Sequence, residues 1–455
     1  MSETPVSEPP ITSPGAERSR PGRNEVVLVA FTAMTNLADG VLKITLPLLA
    51  VGLGGSAGQV AGVGLTLTLP WLLVSLPVGV LADRADRRRL IIVADLVRLA
   101  AALALLAAAS SGGLSLAVLY AAGLVIGVAE VVANTATGAV VPAAVPRRRR
   151  ARANAWIAGT ETLANEFCGP AVGGLLVGVG ASLALGSSAA AFAAGAVLIA
   201  LLAGSFRPAR RNAAEPASQT GSVPTTRRGT AGMLAEIGEG LRFLWRDRLL
   251  RTLSLTITVL AGAWSAWLAL MPSYATAVLE TDPRGYGLLI SAIGLGGLAG
   301  AGTTAVVNRL LGVRWALFAD LVGTFLMVVV PAILPVAWAV GVAAFAGGMG
   351  GTLWSVNSRT IAQALVPDRL LGRYGSAARL LGWGTLPLGA ALAGVLAEVF
   401  GLRFAFGVFA VVVAALTVPF LRVVTPAELR RATESDTGED SDADHENIRQ
   451  NGNRI

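Results

Sequence analysis

Gly79-Val80-Leu81-Ala82-Asp83-Arg84-Ala85-Asp86-Arg87-Arg88 puts two acids and three arginines into ten residues, between two long apolar stretches. A charged run of that density does not lie in hydrocarbon, where a central Asp or Arg costs about 2.5–3.5 kcal/mol on insertion scales. It marks a short solvated turn between two spans. Outward from it, apolar stretches of the length that crosses ~30 Å of hydrocarbon recur along the chain. Twelve fall near 26–50, 58–81, 90–110, 114–138, 154–179, 183–205, 252–277, 286–307, 313–333, 336–357, 374–398 and 403–422.

The arginines give an independent test, because positive charge is retained on the cytoplasmic side of a membrane. With the N-terminus inside, the cytoplasmic loops hold Arg84 and Arg87 to Arg89, Arg147 to Arg150 with Arg152, Arg207, Arg210, Arg211, Arg227 and Arg228, Arg309 with Arg314, and Arg369 with Arg373. The opposite loops carry only Arg284 and Arg403. A span missed or invented mid-chain breaks that alternation. The expected fold is an all-α membrane protein of twelve transmembrane helices, with both termini cytoplasmic.

Composition agrees. The 455 residues are 54% hydrophobic and 14% charged, against about a quarter charged in soluble proteins. The net charge of +8 is spread over the loops instead of along one basic face, so no nucleic-acid partner is expected. Cys168 is the single cysteine, which excludes an internal disulfide and gives no metal-ligand spacing. Lys43, the single lysine, lies in Asp39-Gly40-Val41-Leu42-Lys43-Ile44-Thr45 and not in a phosphate-binding G-x-x-x-x-G-K-[ST] loop. No ATP motor, metal or cofactor is expected, and no nucleophile, base and metal set suggests an enzyme.

The organisation expected is a disordered cytoplasmic leader over 1–24, a six-helix half over 25–205, a cytoplasmic linker over 206–251, a second six-helix half over 252–422, and a disordered acidic tail over 423–455. The leader has no apolar core of a cleaved signal peptide. Within the linker, Leu234, Ile237, Leu241 and Leu244 follow helical spacing with charges opposite, an amphipathic helix suited to the inner leaflet.

The halves repeat. Ala94-Asp95-Leu96-Val97-Arg98 recurs as Ala319-Asp320-Leu321-Val322-Gly323, and Asp83-Arg84 as Asn308-Arg309, at an offset of 225. Val145-Pro146 with Arg152 recurs as Val366-Pro367 with Arg373, and Gly173 as Gly394, at an offset of 221. With these repeats, the 79–88 run resembles the loop 2-3 signature G-x-x-x-D-R-x-G-R-[RK] of the major facilitator superfamily over about 25–422, with Asp86 in place of the usual Gly. The resemblance implies two pseudo-symmetric halves and a conformational switch at Gly79, Asp83, Arg84, Arg87, Arg88 and Arg373. Gly79 is expected to let two helix ends approach closely. Gly169-Pro170-Ala171-Val172-Gly173-Gly174 is similar to the G-P-x-x-G-G core of the superfamily's antiporter motif, with Asn165 at the position of the preceding Gly. Arg152-Ala153-Asn154-Ala155, the 239–244 helix and Gly372-Arg373 look most like the bacterial branch of enterobactin-type and macrolide-type exporters. The fourth-span Arg of drug-proton antiporters is absent, with Glu130 nearby.

Ionisable residues within spans demand a reason. Asn36, Asp39, Gly40 and Lys43 share one helical face, and Asp39 and Lys43 are spaced to pair directly. Asp39 is about 20 Å along its span at about 1.5 Å per residue, near mid-membrane. Glu130 stands midway in the fourth span, with Asn134 one turn on. The resemblance brings Asp39, Lys43 and Glu130 around one cavity, and Asp39 or Glu130 is the expected protonation site, with Glu166 in the fifth span as a further carboxylate. Glu161 is expected to snorkel, and Asp95 with Arg98 to form a local structural bridge. In the second half, Trp264 and Trp267 on the seventh span and Trp354 and Asn357 on the tenth suggest an aromatic wall for an amphipathic or cationic organic molecule.

The function expected is proton-coupled export of a small amphipathic organic molecule by alternating access, from a monomer in the bilayer. The alternatives are a nutrient importer or facilitator and a non-transporting membrane sensor.

Overall fold

The computed structural model describes residues 22–203 and 230–431; the leader, most of the linker and the tail lie outside the described residues. Every regular element among them is helical. The helices are α1 (Arg23–Gly52), α2 (Ala57–Leu73), α3 (Ser75–Arg84), α4 (Arg87–Ser110), α5 (Leu116–Ala144), α6 (Arg150–Thr162), α7 (Gly169–Val179), α8 (Ala181–Ala200) and α9 (Thr230–Arg246). They continue as α10 (Arg248–Ala277), α11 (Pro283–Leu310), α12 (Val313–Ile333), α13 (Ala337–Leu365), α14 (Asp368–Trp383), α15 (Thr385–Phe400), α16 (Leu402–Ala415) and α17 (Thr417–Val423). One π-helical turn, Leu163–Cys168, joins α6 to α7.

Among the described residues, eleven helical runs are long and apolar enough to cross a membrane. The stretch expected as one span over 58–81 differs. It is α2, a shorter apolar helix, interrupted at Val74 before α3. Pro77 has no N–H for the Leu73 carbonyl four residues back, so the ladder breaks there. Some helix starts are capped by acids: Asp86 Oδ1 accepts from the Arg88 and Arg89 amides at 3.1 and 3.3 Å, and Asp247 and Asp282 cap α10 and α11. The acid that departs from the loop signature is thus the N-cap of α4.

The loops fall into two layers. Asn24 of α1 donates to the carbonyls of Ala144 and Ala203, and Arg314 donates to the Leu421 carbonyl, gathering helix ends at the arginine-rich layer. At the other layer Arg403 donates to the Ala332 carbonyl, and Gly178 lies against Arg284. The two halves pack on each other at this second layer, α2 on α15 and α7 on α11. Glycines permit it: a Cβ on Gly287 would stand 2.9 Å from the Gly174 Cα, and one on Gly394 3.1 Å from the Ala61 Cβ. The Gly58 amide donates to Glu398 Oε2 at 3.0 Å across the same seam. Among the described residues, no packing of that extent joins α3 or α6 to α11, α13 or α14.

A Cβ on Gly79 would meet nothing within 4 Å among the described residues. The amphipathic helix is present as α9, with Leu244 fully buried, and it packs on α14 and α10 of the second half. The side chains of Leu234 and Ile237 lie outside the described residues. Large apolar side chains such as Val179, Trp338 and Val411 are about 70% exposed on the outer faces of the bundle, a surface suited to lipid and not to water.

Candidate functional site

A buried ionic network stands at the mid-height of the first half. Asp39 is the seventeenth of the thirty residues of α1, and its neighbours come from the middle of α4 and α5. Arg98 Nη1 donates to both Asp39 oxygens, at 3.0 and 2.8 Å, while its Nη2 donates to Asp95 Oδ1. Asp39, Asp95 and Arg98 are 4%, 0% and 2% exposed. The guanidinium also lies 4.7 Å from the Phe192 ring centre of α8, a cation-π contact that helps hold a charge removed from water. Two carboxylates and one aromatic ring, from α1, α4 and α8, converge on a single arginine.

This overturns one sequence expectation and extends another. Asp39 pairs with Arg98, not with Lys43, because a buried guanidinium satisfies both carboxylate oxygens where a lysine one turn away offers a single flexible ammonium. The Asp95–Arg98 bridge exists but is one arm of the larger network, not a purely local pair. Lys43 instead donates to Asn165 Oδ1 at 2.9 Å and lies 3.7 Å from Glu130 Oε1.

Asn165 occupies the π-helical turn, a feature that often marks functional sites because it shifts a side chain relative to regular helix spacing. Its amide donates to Asn36 Oδ1 at 3.1 Å while its carbonyl oxygen accepts from Lys43. The residue that departs from the antiporter motif therefore bridges two members of the expected cavity face. The glycines of that motif press on α1: a Cβ on Gly169 would stand 2.7 Å from the Gly40 Cα, and one on Gly173 3.0 Å from the Val41 Cα. Pro170 is buried beside them, and Gly174 reaches α11. Glu130 is buried on α5 and Asn134 half-buried one turn on. The side chain of Glu166 lies outside the described residues, as do those of Asp83, Arg84 and Arg373 in the loop switch. Of the remaining switch residues, Arg87 donates to the Ala139 carbonyl at 3.0 Å and Arg88 to the Ala200 carbonyl, tying α4 to α5 and α8.

The aromatic residues of the second half divide. Trp264 is half-buried, whereas Trp267 is fully buried in the apolar core of that half. Trp354 is 3% exposed and packs against Phe420 at 6.4 Å between ring centres. Asn357 donates to the Leu353 carbonyl and accepts from Asn308 at 2.8 Å, so it ties α13 to α11. Two residues escaped assignment from sequence. Arg98 is the hub of the network, and Asp320 is a buried acid near the middle of α12 with Thr324 as its hydrogen-bond donor, 3.3 Å away. The repeat held the signal for Asp320, because it aligns with Asp95 while Gly323 aligns with Arg98.

An all-helical bundle with, among the described residues, eleven helices long and apolar enough to cross a bilayer defines a multi-pass membrane protein. Residues 22–446 match the family described as transmembrane secretion effector, and the chain belongs to that family, within the major facilitator superfamily. It is 30% identical over 430 residues to the multidrug efflux pump Tap of Mycobacterium tuberculosis, covering 91% of this chain and 97% of that one. It is 29% identical over 358 residues to the enterobactin exporter EntS of Citrobacter koseri, covering 78% and 80%. The fold is similar to a bacterial homologue of the iron transporter ferroportin in its inward-facing state, with a TM-score of 0.66, 16% identity, and 88% and 98% of the two chains covered. Proteins of this family are transporters of the cell membrane, not enzymes.

Proposed function

We propose that this chain exports a small amphipathic organic molecule by proton antiport, alternating access between two six-helix halves whose termini are both cytoplasmic. The observation that carries this reading is the excess of acid in the buried network, where, among the described residues, Asp39, Asp95 and Glu130 make their ion pairs with two cations, Arg98 and Lys43. Buried charge is tolerated when paired, so a set with one carboxylate too many has room for one proton. The efflux roles of Tap and EntS support the outward direction. Twelve spans follow when α2 and α3 are counted as one interrupted crossing, and the arginine-rich layer then faces the cytoplasm.

Within the network the geometry favours different roles for the two main acids. Asp39 is locked by Arg98, whereas Glu130 has a contact of 3.7 Å to a lysine that is 39% exposed. Glu130 is the carboxylate that exchanges its proton, and Asp39 keeps Arg98 from neutralising it, with Glu166 a further relay group. Lys43, Asn36, Asn134 and Asn165 form the polar wall of the substrate space, and Trp264 the aromatic one, with Trp267, Trp354 and Asn357 behind it. The loop switch of Gly79, Asp83, Arg84, Arg87, Arg88 and Arg373 closes when the arginine-rich layer shuts.

The test is flux of a panel of amphipathic drugs in proteoliposomes after an imposed pH step. Glu130→Gln is expected to lose the proton-driven component while retaining downhill drug exchange. Full proton-driven flux in both Glu130→Gln and Asp39→Asn would remove the network from the coupling mechanism.

A further inference from the structure

Asp320 is 2% exposed, and among the described residues the one hydrogen bond to its carboxylate comes from the neutral hydroxyl of Thr324. α12 packs against α10, α11, α13 and α16. The ionisable side chains nearest its level on those helices stand within two turns of the helix ends, Arg251, Arg309 and Arg359 toward one layer and Tyr274, Tyr286 and Arg403 toward the other. On α12 itself Arg314 is six residues away and donates to the Leu421 carbonyl. None of these makes a hydrogen bond or ion pair to Asp320, and an isolated buried carboxylate held by one neutral donor is stable only with its proton on.

The repeat says why no cation stands there. Position 323, where the first half has Arg98, is a glycine, and a Cβ on it would run into the Ala346 carbonyl and stand 3.1 Å from the Gly347 Cα. A Cβ on Gly350 would stand 2.6 Å from the Asp320 Cα, so α12 and α13 are pressed together at backbone distance around the acid. Gly351 leaves one opening. A Cβ there would lie 3.9 Å from Asp320 Oδ1 and 3.7 Å from Trp264 Cζ2, so the carboxyl and the indole edge border the same side-chain-free spot. Trp264 is half-buried, whereas Asp320 is 2% exposed.

We propose that Asp320 is a second proton-binding carboxylate of this transporter, protonated in this state and covered by Trp264, and that a ligand displacing the indole lets the carboxyl O–H give its proton to water. The role in transport rests on the proton-coupled reading above, whereas the bound proton does not. Substrate binding in the second half and proton release would then be one event, without an ion pair to break.

Infrared difference spectra of the full chain in proteoliposomes, recorded over a pH series, test it directly. The wild type is expected to show the carbonyl stretch of a buried protonated carboxyl at neutral pH. Asp320→Asn should lose that band, Asp320→Glu should keep it at a shifted frequency, and Asp39→Asn and Glu130→Gln should leave it in place. Trp264→Ala should let the band titrate away at lower pH, because water reaching the acid favours the carboxylate. An Asp320→Asn spectrum with every protonated-carboxyl band intact overturns the proposal, and an unchanged titration in Trp264→Ala overturns the cover. If Asp39→Asn and Glu130→Gln keep full proton-driven flux while the Asp320 band behaves as stated, the first-half coupling reading fails and this one stands.

Discussion

Asp95 and Asp320 hold equivalent places in the two halves, 225 residues apart, both buried near the middle of the corresponding helices α4 and α12. One sits inside an arginine-centred network that spans three helices, and the other has a threonine. The difference of a single residue, Arg98 against Gly323, decides between them. An arginine needs volume and partners, and the first half supplies Asp39, Asp95 and Phe192. A glycine lets two backbones touch, and the second half spends that position on packing α12 against α13. The duplicated scaffold thus carries a fixed charge network on one side and a neutral acid on the other.

Removing the hub is the strongest way to break the comparison. Arg98→Met leaves Asp39 and Asp95 buried without a counter-charge and is expected to cost about 3–5 kcal/mol, read as a collapse of the thermal transition in detergent. A melting point close to wild type would mean that both acids are already neutral, and the two halves would then be alike.

Gly323→Ala probes the other half. Its new methyl meets the Ala346 carbonyl, and a loss of about 1–3 kcal/mol is expected. An unchanged transition would show that α12 and α13 can part, so that packing is not what keeps a larger residue out.

The isosteric pair sharpens the contrast. Asp95→Asn weakens a charge-assisted bond from Arg98 and should cost about 1–3 kcal/mol, whereas Asp320→Asn, a mimic of the protonated acid, should stay within about 1 kcal/mol. Equal losses would remove the distinction between charged and neutral. Asn165→Gly restores the residue of the antiporter motif and gives up hydrogen bonds to Asn36 and Lys43, each worth about 1 kcal/mol. Its more telling readout is the proton-driven flux, because Lys43 then loses its Asn165 acceptor beside Glu130.

The helical runs and their spacing were legible because each depends on local properties: an apolar stretch long enough for hydrocarbon, and clusters of arginines that stay outside it. The interruption at Val74 was legible too, in Pro77, but a window of hydropathy averages over it. The site was legible as a set of residues and misread as a set of pairs. Asp39 and Lys43, four apart on one helix, satisfy a local rule, and the contact actually made, to Arg98, lies 59 residues away and follows from how α1 and α4 meet. Asp86 and Asn165, both departures from the family's motifs, turn out to be a helix cap and a bridge, roles that only the neighbouring backbone and side chains reveal.

By itself the sequence determined that the chain is helical, apolar, duplicated and charged on alternate loops, since hydropathy, length and repeat are carried by consecutive residues. The tertiary structure alone decided which acid meets which base. Burial makes a partner obligatory, and which partner is within reach depends on where helices far apart in sequence come to cross.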